Sequence, residues 1–201
     1  MTGRRVVLAS GNSGKLREIM ALLQPLGIEV LPQSAFGISD AVEDGDTFIA
    51  NALIKARHAA RSCGLPAIAD DSGLAVDVLH GAPGVYSARY AGPRASDSDN
   101  IDKLLLALKG VAPPERGAGF HCAAVFVRDE GDPAPLIEEG VWRGRILEER
   151  SGSGGFGYDP VFFDPVAGCS AALLTPEQKN ARSHRGIAFR ALCAELAERW
   201  A

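Results

Sequence analysis

The feature that most constrains the fold is a short apolar run followed at once by a loop of small residues and an amphipathic helix. Residues 6–9, Val-Val-Leu-Ala, are typical of a buried strand. The loop at residues 10–15 reads SGNSGK and interrupts the apolar run. Apolar residues then recur at helical spacing from Leu16 to Leu26, and Gly27 ends the predicted helix. This strand–loop–helix order is typical of an α/β fold.

The rest of the chain continues the alternation at first and then places strands next to each other. Thr175 and Gln178, with Pro176 at the first helical position, predict a capping box at a helix start. We expect an α/β fold with a mixed β-sheet flanked by helices. The predicted helices cover residues 47–63, 96–108 and 186–200. The predicted strands cover residues 28–31, 66–69, 119–127 and 135–141, and residues 74–78 form a further strand-like stretch.

Composition excludes several classes of protein. The 201 residues carry a net charge of −4 and no clustered run of Lys and Arg, so we expect neither a nucleic-acid partner nor a membrane partner. The four cysteines form no CxxC pair, which argues against a zinc site or a disulfide framework. The first ten residues lack the apolar run of a signal peptide, so we expect a cytoplasmic protein.

The SGNSGK loop is a candidate phosphate-binding site. A loop of small residues at a helix N-terminus exposes backbone N–H groups where the helix dipole favours anions, and a lysine adds positive charge. The loop is not a Walker A motif, because Ala9 replaces the first glycine and Leu16 follows the lysine. A plain strand-to-helix turn is the alternative. The candidate residues are Ser10, Gly11, Asn12, Ser13, Gly14 and Lys15.

Adjacent carboxylates at Asp70 and Asp71 follow the apolar run at residues 66–69, which we predict to be a strand that ends before them. Successive strand side chains point to opposite faces, so we expect one Asp in a site and the other in a turn or on backbone N–H groups. A carboxylate with Glu43 as a second oxygen donor suits Mg²⁺. An ordinary Asx-turn is the alternative. Lys55 lies two turns into the preceding helix, where it could reach phosphates.

Two later segments are candidates for recognising a base. In GGFGYDP, at residues 154–160, glycines flank two aromatic residues, which suits a ring on which a base stacks. Apolar packing is the alternative for at least one of the rings. In SHRG, at residues 183–186, His184 and Arg185 supply donors for a carbonyl or phosphate. Lys179 lies shortly before them in the sequence.

Taken together, these segments resemble the inosine/xanthosine triphosphate pyrophosphatase family. The resemblance covers nearly the whole chain, in order. Two departures are visible: Ser10 stands where the family usually has Thr, and Ala50 stands where many members carry Glu. The segments that carry the resemblance are SGNSGK, TFIANALIKA after Glu43, ADDSGLAVD, GAPGVYSARYAG, GGFGYDPVF and KNARSHRG.

The resemblance implies an elongated central mixed sheet with two lobes and an active-site cleft between them, in one nucleoside-triphosphate pyrophosphatase domain over residues 1–201. It implies a homodimer that uses Mg²⁺ to cleave the α–β phosphoanhydride bond of ITP, dITP and XTP, giving a nucleoside monophosphate and pyrophosphate. Asp71 would be the proton acceptor and, with Glu43, a metal ligand. Residues 10–15, Lys55 and Ser72 would hold the phosphates. The base would be framed by Phe156, Gly157, Tyr158, Asp159, Lys179, His184 and Arg185.

Two other functions fit some of these residues. A Maf-type pyrophosphatase would act on pyrimidine or methylated nucleotides, but the SHRG and FGYD segments favour a purine. A nucleotide sensor without turnover would keep the binding residues, but the presence of both Glu43 and Asp71 argues for catalysis.

Overall fold

The computed structural model describes residues 4–200, so residues 1–3 and 201 of the predicted domain lie outside the described residues. No helix in that described part is both long and apolar enough to span a bilayer. The strands are β1 (Arg5–Ala9), β2 (Glu29–Pro32), β3 (Ala67–Val76), β4 (Gly117–Val127), β5 (Leu136–Ile146), β6 (Phe162–Asp164) and β7 (Cys169–Ser170). The α-helices are α1 (Ser13–Leu23), α2 (Phe48–Cys63), α3 (Asp97–Ala107), α4 (Pro176–Arg182) and α5 (His184–Arg199), with short 3-10 helices between them.

The predicted mixed sheet is confirmed. The strands form one seven-stranded sheet in the order β2-β1-β3-β4-β5-β6-β7. Strand β1 is parallel to both β2 and β3, whereas β5 and β7 are antiparallel to β6. The parallel pairs are those joined through helices α1 and α2, as a crossover connection requires.

The chain divides into two compact units. The first comprises residues 4–72, 122–140 and 184–200. Its strands are apolar on both faces: Val6 and Leu8 pack in a cluster with residues of α1 and α5, whereas Val7 and Ala9 pack in a second cluster with alanines of α2. This is the strand alternation expected of a sheet covered on both sides.

The second unit comprises residues 73–121 and 141–183 and has its own aromatic core. The ring of Phe162 lies 4.6 Å from that of Phe120 and 4.9 Å from that of Trp142, measured between centroids. Leu104 and Leu108, at the C-terminal end of α3, are fully buried in the same cluster. The capping box predicted at Thr175 is present and begins α4.

Strand β3 joins two segments that were predicted separately, the strand at residues 66–69 and the strand-like stretch at residues 74–78. The strand predicted at residues 66–69 runs on through Asp70 and Asp71 to Val76, so these carboxylates lie inside a strand and not in a turn after one. The expectation that the second Asp caps a turn or accepts backbone N–H groups is therefore wrong for Asp70. Asp70 accepts instead from the side chains of Lys15, Ser72 and Arg185. Local turn preference is overruled because charged side chains neutralise the acid within the sheet.

Arg116, between α3 and β4, is a buried charged residue that donates hydrogen bonds to backbone carbonyls, one of them at the end of a helix. Only 4% of the residue is exposed. Its guanidinium donates to the carbonyl oxygens of Leu108 (2.9 Å), Val111 (3.1 Å) and Leu147 (2.7 Å). The first of these carbonyls belongs to the C-terminal end of α3, where carbonyls lack partners within the helix.

We expect Arg116→Met to lower the free energy of unfolding by about 2–4 kcal/mol, because three carbonyls that are buried or partly buried lose a charged donor. Urea unfolding monitored by circular dichroism measures the change. Arg94→Met, at an exposed position in the same unit, is the control and should change stability by less than about 0.5 kcal/mol. A wild-type midpoint for Arg116→Met would show that water satisfies these carbonyls equally well.

Candidate active site

The SGNSGK loop is a capped helix start. Asn12 is the N-cap of α1, and its Oδ1 accepts from the backbone N–H groups of Gly14 (2.9 Å) and Lys15 (3.0 Å). Ser10 Oγ in turn accepts from the N–H of Asn12 at 3.3 Å. Gly11 lies against the Asp40 carboxylate, since a Cβ on this glycine would be 3.1 Å from Asp40 Oδ1. The loop is therefore ordered by its own side chains, with Lys15 in the first helical turn.

A network of charges surrounds Asp70 in the middle of β3. The Asp70 Oδ2 atom lies 3.1 Å from Lys15 Nζ, 3.4 Å from Arg185 Nε and 3.0 Å from Ser72 Oγ. Arg185 also donates to Ser72 Oγ at 3.0 Å and forms an ion pair with Glu18 of α1. Two cations from different helices thus share one carboxylate of the central sheet.

Burial makes this network depend on its internal pairing. The exposed fraction is 1% for Asp70 and 2% for Arg185. Burial alone would raise the pKa of the Asp70 carboxyl, but Lys15, Arg185 and Lys55 outweigh burial and hold that pKa well below its usual range. Burial would lower the pKa of Arg185, yet the carboxylates of Asp70 and Glu18 raise it. Both groups are therefore charged near neutral pH.

A second group of charges meets at Lys55 of α2. Its Nζ lies 2.9 Å from Asp71 Oδ1 and 3.2 Å from Glu43 Oε2. Asn51, one helical turn earlier, donates from Nδ2 to Asp71 Oδ2 at 3.2 Å. Burial lowers the pKa of the Lys55 ammonium, but its carboxylate neighbours, Asp71 first among them, outweigh that effect and raise it. The structure thus brings the candidate base, the candidate second acid and a candidate phosphate-binding lysine to one point.

The same group is the best candidate for holding a divalent cation. Glu43 and Asp71 both contact the Lys55 ammonium, so one oxygen of each acid lies near the same point. Within residues 4–200 no group of three or more His, Cys, Asp and Glu side chains could hold a metal. Two carboxylates with the remaining positions left to water and phosphate oxygens is the arrangement that Mg²⁺ commonly takes. The donor set therefore fits Mg²⁺ with a phosphate substrate.

The predicted base-binding residues of the second unit form a third group. Lys179 Nζ lies 2.5 Å from Asp159 Oδ2 and 4.5 Å from the centroid of the Phe156 ring. Asp159 Oδ2 also accepts from the backbone N–H of Phe156 at 3.0 Å, and Asp97 of α3 accepts from the N–H of Gly157 at 2.6 Å. Two carboxylates therefore hold the backbone of this loop.

The two aromatic rings of this loop have different surroundings. Tyr158 is 4% exposed, packs in the core of its unit and donates from its hydroxyl to the carbonyl of Ser87 at 2.8 Å. Phe156 is only partly buried. Apolar packing, the alternative considered for one of the two rings, is confirmed for Tyr158. His184 and Arg185, the other predicted base-binding residues, open α5 in the first unit and are both buried.

Comparison with known proteins identifies the family of the chain. The model of the Ham1 family matches residues 6–195. The chain belongs to the Ham1 family. It is 62% identical over 193 residues to a dITP/XTP pyrophosphatase of Methylococcus capsulatus, which covers 96% of each chain, and 57% identical, with the same coverage, to a dITP/XTP pyrophosphatase of Vibrio parahaemolyticus.

Solved structures of Ham1 relatives have the same fold. The HAM1 protein of Coxiella burnetii superimposes with a TM-score of 0.90 at 51% identity, over 97% of this chain and 99% of that one. A nucleoside-triphosphatase / dITP/XTP pyrophosphatase of Mycobacterium abscessus superimposes with a TM-score of 0.75 at 40% identity, over 96% and 98% of the two chains. The seven-stranded mixed sheet is therefore the fold of the family.

Sequence reasoning missed or misassigned three polar residues that this Ham1 chain builds into the site. Glu18 pairs with Arg185, Asp70 joins the two cations, and Asn51 contacts Asp71. Two of the three had a usable signal in helical spacing. Glu18 lies three residues after Lys15 on α1, and Asn51 lies four residues before Lys55 on α2, so each shares a helix face with a recognised residue.

The Asp70 network leads to a prediction for stability. We expect Arg185→Met to lower the free energy of unfolding by about 3–5 kcal/mol, because Asp70 and Glu18 lose a buried partner. The double variant Arg185→Met/Asp70→Asn should lose at least about 1 kcal/mol less free energy of unfolding than the sum of the two single variants, since the two residues share one ion pair. Chemical unfolding of the four proteins of this cycle gives the coupling.

The control for this cycle is Arg199→Met, which breaks an exposed pair with Glu195 and should cost less than about 1 kcal/mol. Strict additivity of the Arg185 and Asp70 changes would contradict a shared ion pair.

Proposed function

We propose that this Ham1 chain hydrolyses the deaminated purine nucleoside triphosphates ITP, dITP and XTP to a nucleoside monophosphate and pyrophosphate, which removes them from the nucleotide pool. The observation that carries the proposal is the meeting of Glu43 and Asp71 at Lys55 Nζ. It supplies an acid pair for a metal–phosphate complex and a lysine for the phosphates in one place. The names of the relatives, dITP/XTP pyrophosphatases, support the same activity.

The phosphate side of the substrate would be bound by the first turn of α1 and by α2. Lys15 and Lys55 carry the positive charge that a triphosphate needs, and the dipole of α1 favours an anion at the helix start. The Ser72 hydroxyl lies beside Asp70 and Arg185. We assign these residues, with Ser10, Gly11, Asn12, Ser13 and Gly14 of the loop, to the phosphates.

Glu43 and Asp71 would hold Mg²⁺ through their oxygens. When bound, this ion polarises the phosphate oxygens and lowers the pKa of a water. The role we assign to Asp71 is to take the proton of the attacking water, whose oxygen bonds to phosphorus as the α–β anhydride bond breaks and pyrophosphate leaves. Asn51 and Lys55 each donate to one oxygen of Asp71, which fixes the orientation of its carboxylate.

The base would stack on Phe156, the less buried ring of its loop, and not on the buried ring of Tyr158. Lys179 and Asp159 fix that ring and its backbone, with Gly157 completing the loop. We assign base recognition further to the donors of His184 and Arg185. Hypoxanthine and xanthine present an acceptor at O6, whereas adenine presents an amino group there. Two donors facing each other can reject the wrong base by roughly 10⁴-fold.

Our proposal also includes a cytoplasmic homodimer, as the resemblance implies. Exposed apolar side chains at Val78 and Tyr86 in the second unit offer surface for such contacts.

The activity is tested by pyrophosphate release from ITP, XTP, GTP, ATP and dTTP, each with Mg²⁺ and with EDTA. We expect release mainly from ITP and XTP and at least 100-fold less from ATP, because adenine places a donor against donors. EDTA should stop the reaction, since without the ion Glu43 and Asp71 would repel the triphosphate and no cation would lower the pKa of the attacking water.

The panel distinguishes the other functions. Release from dTTP in place of ITP would indicate a Maf-type enzyme. Tight binding of ITP without pyrophosphate release would indicate a nucleotide sensor.

Asp71→Asn tests the role of Asp71 as proton acceptor. The amide is nearly isosteric but takes no proton at neutral pH, so we expect kcat for ITP to fall by about 100-fold or more while the melting temperature stays within a few degrees. Steady-state kinetics and thermal unfolding measure the two. Asp77→Asn, at a carboxylate in the second unit that pairs with exposed Arg143, is the control. Full turnover by Asp71→Asn would remove Asp71 from this role.

A further inference from the structure

We propose that Asn51 is a positioning residue of the active site, which fixes both the Asp71 carboxylate and the acidic loop that carries Glu43. This inference rests on the proposed function and deepens it. Asn51 carries no charge, and the TFIANALIKA segment around it does not reveal what its side chain does. Its place is nevertheless unusual, because a polar side chain that is 1% exposed has both ends of its amide on groups of the site.

The orientation of the Asn51 amide follows from its neighbours. The backbone N–H of Gly45 lies 2.9 Å from one end, and because an N–H only donates, that end must be the oxygen. The other end is then the NH₂ group, which donates to Asp71 Oδ2 at 3.2 Å. One side chain thus accepts from the acidic loop and donates to the candidate base.

The two oxygens of Asp71 are held from the same helix. Lys55 contacts Oδ1 at 2.9 Å, and Asn51 contacts Oδ2. The two donors are four residues apart on α2 and share one face. Lys55 also contacts Glu43. Because Lys55 is positively charged, a bound phosphate would attract it away from Asp71. Asn51 is a neutral donor on Asp71, and its contact does not depend on the charge of the substrate.

The loop at residues 37–46 depends on side chains for its position because it contains no helix or strand. Gln33 donates to Asp40 at 2.7 Å, and a ring nitrogen of His58 contacts the carbonyl of Ser39 at 2.9 Å. Both contacts precede Glu43. The contact of Gly45 with Asn51 is on the other side of Glu43.

Gly45 shows how closely the loop approaches α2 at this point. A Cβ on Gly45 would lie 2.8 Å from both Ala50 Cβ and Asn51 Oδ1, distances that real Cβ atoms do not reach. Only glycine therefore allows the contact between the Gly45 N–H and the Asn51 amide. The loop therefore contacts α2 at Asn51, which also contacts Asp71. This contact couples the position of Glu43 to that of the catalytic carboxylate.

The experiment separates the two halves of the amide. Asn51→Asp is nearly isosteric and keeps an acceptor for the Gly45 N–H, but it places a carboxylate oxygen against Asp71. Asn51→Ala removes both contacts. His58→Ala is the matched control, because it releases the same loop at Ser39 without touching Asp71. For each protein, kcat and KM for ITP are measured together with backbone hydrogen exchange of residues 38–47 and the melting temperature.

For Asn51→Asp we expect kcat to fall about 10- to 100-fold, with KM changed by less than about threefold and the protection of the Gly45 amide retained. Asn51→Ala should show a similar loss of kcat and lose that protection as well. His58→Ala should keep kcat within about twofold while exchange near Ser39 becomes faster.

Three results would overturn the proposal. The first is wild-type kcat for Asn51→Asp. The second is an equal loss of kcat in His58→Ala, which would assign the effect to general loosening of the loop. The third is fast exchange of the Gly45 amide in the wild type, a measurement that does not depend on any variant folding.

Failure of the proposed function is visible separately. It would appear as a wild-type protein that releases no pyrophosphate from ITP or XTP. The tether between Asn51 and the acidic loop would then still be decided by hydrogen exchange in the wild type and in Asn51→Ala.

Discussion

The carboxylate of Asp70, buried inside a strand, is the constraint on which the arrangement of the first unit depends. An ionised acid in the middle of a sheet is strongly unfavourable unless cations and donors surround it. Lys15 comes from the start of α1 and Arg185 from the start of α5, and both reach the same oxygen. The start of each helix is therefore fixed relative to β3. The loop before α1 inherits this order, because Lys15 is also one of the residues that Asn12 caps.

Local sequence was sufficient for those parts of the fold that short-range chemistry decides. The first strand, the SGNSGK loop and the capping box at Thr175 were all predictable, because each depends on residues within one or two turns. Strand β3 was not. Asp70 and Asp71 favour a turn on their own, and what keeps them in a strand includes Arg185, 115 residues away. A short window of sequence around the two acids does not include Arg185, so it cannot show that their burial is offset by cations.

The same reasoning explains which site residues were found and which were missed. Residues with a charge or a recognisable motif, such as Lys55 and Asp71, stand out in the sequence. Asn51 does not, because the role of an amide on a helix cannot be inferred before the groups that it contacts are known. Those neighbours come from a loop without regular structure and from a strand. Helix α2 is thus more than a cover for the sheet: its alanines pack on β1, while Asn51 and Lys55 face the acids of the site.

The lysines assigned to the substrate are already paired with carboxylates: Lys15 with Asp70, Lys55 with Asp71 and Glu43, and Lys179 with Asp159. A phosphate that binds here must therefore share these cations with acids. The pairing restricts the lysine side chains before substrate arrives, so less rotamer freedom remains to be lost on binding. It also means that the bare triphosphate would meet acids as well as lysines. A divalent cation held by Glu43 and Asp71 would turn those acids from a repulsive into an attractive feature, which is why the metal and the polyphosphate belong to one binding event in this geometry.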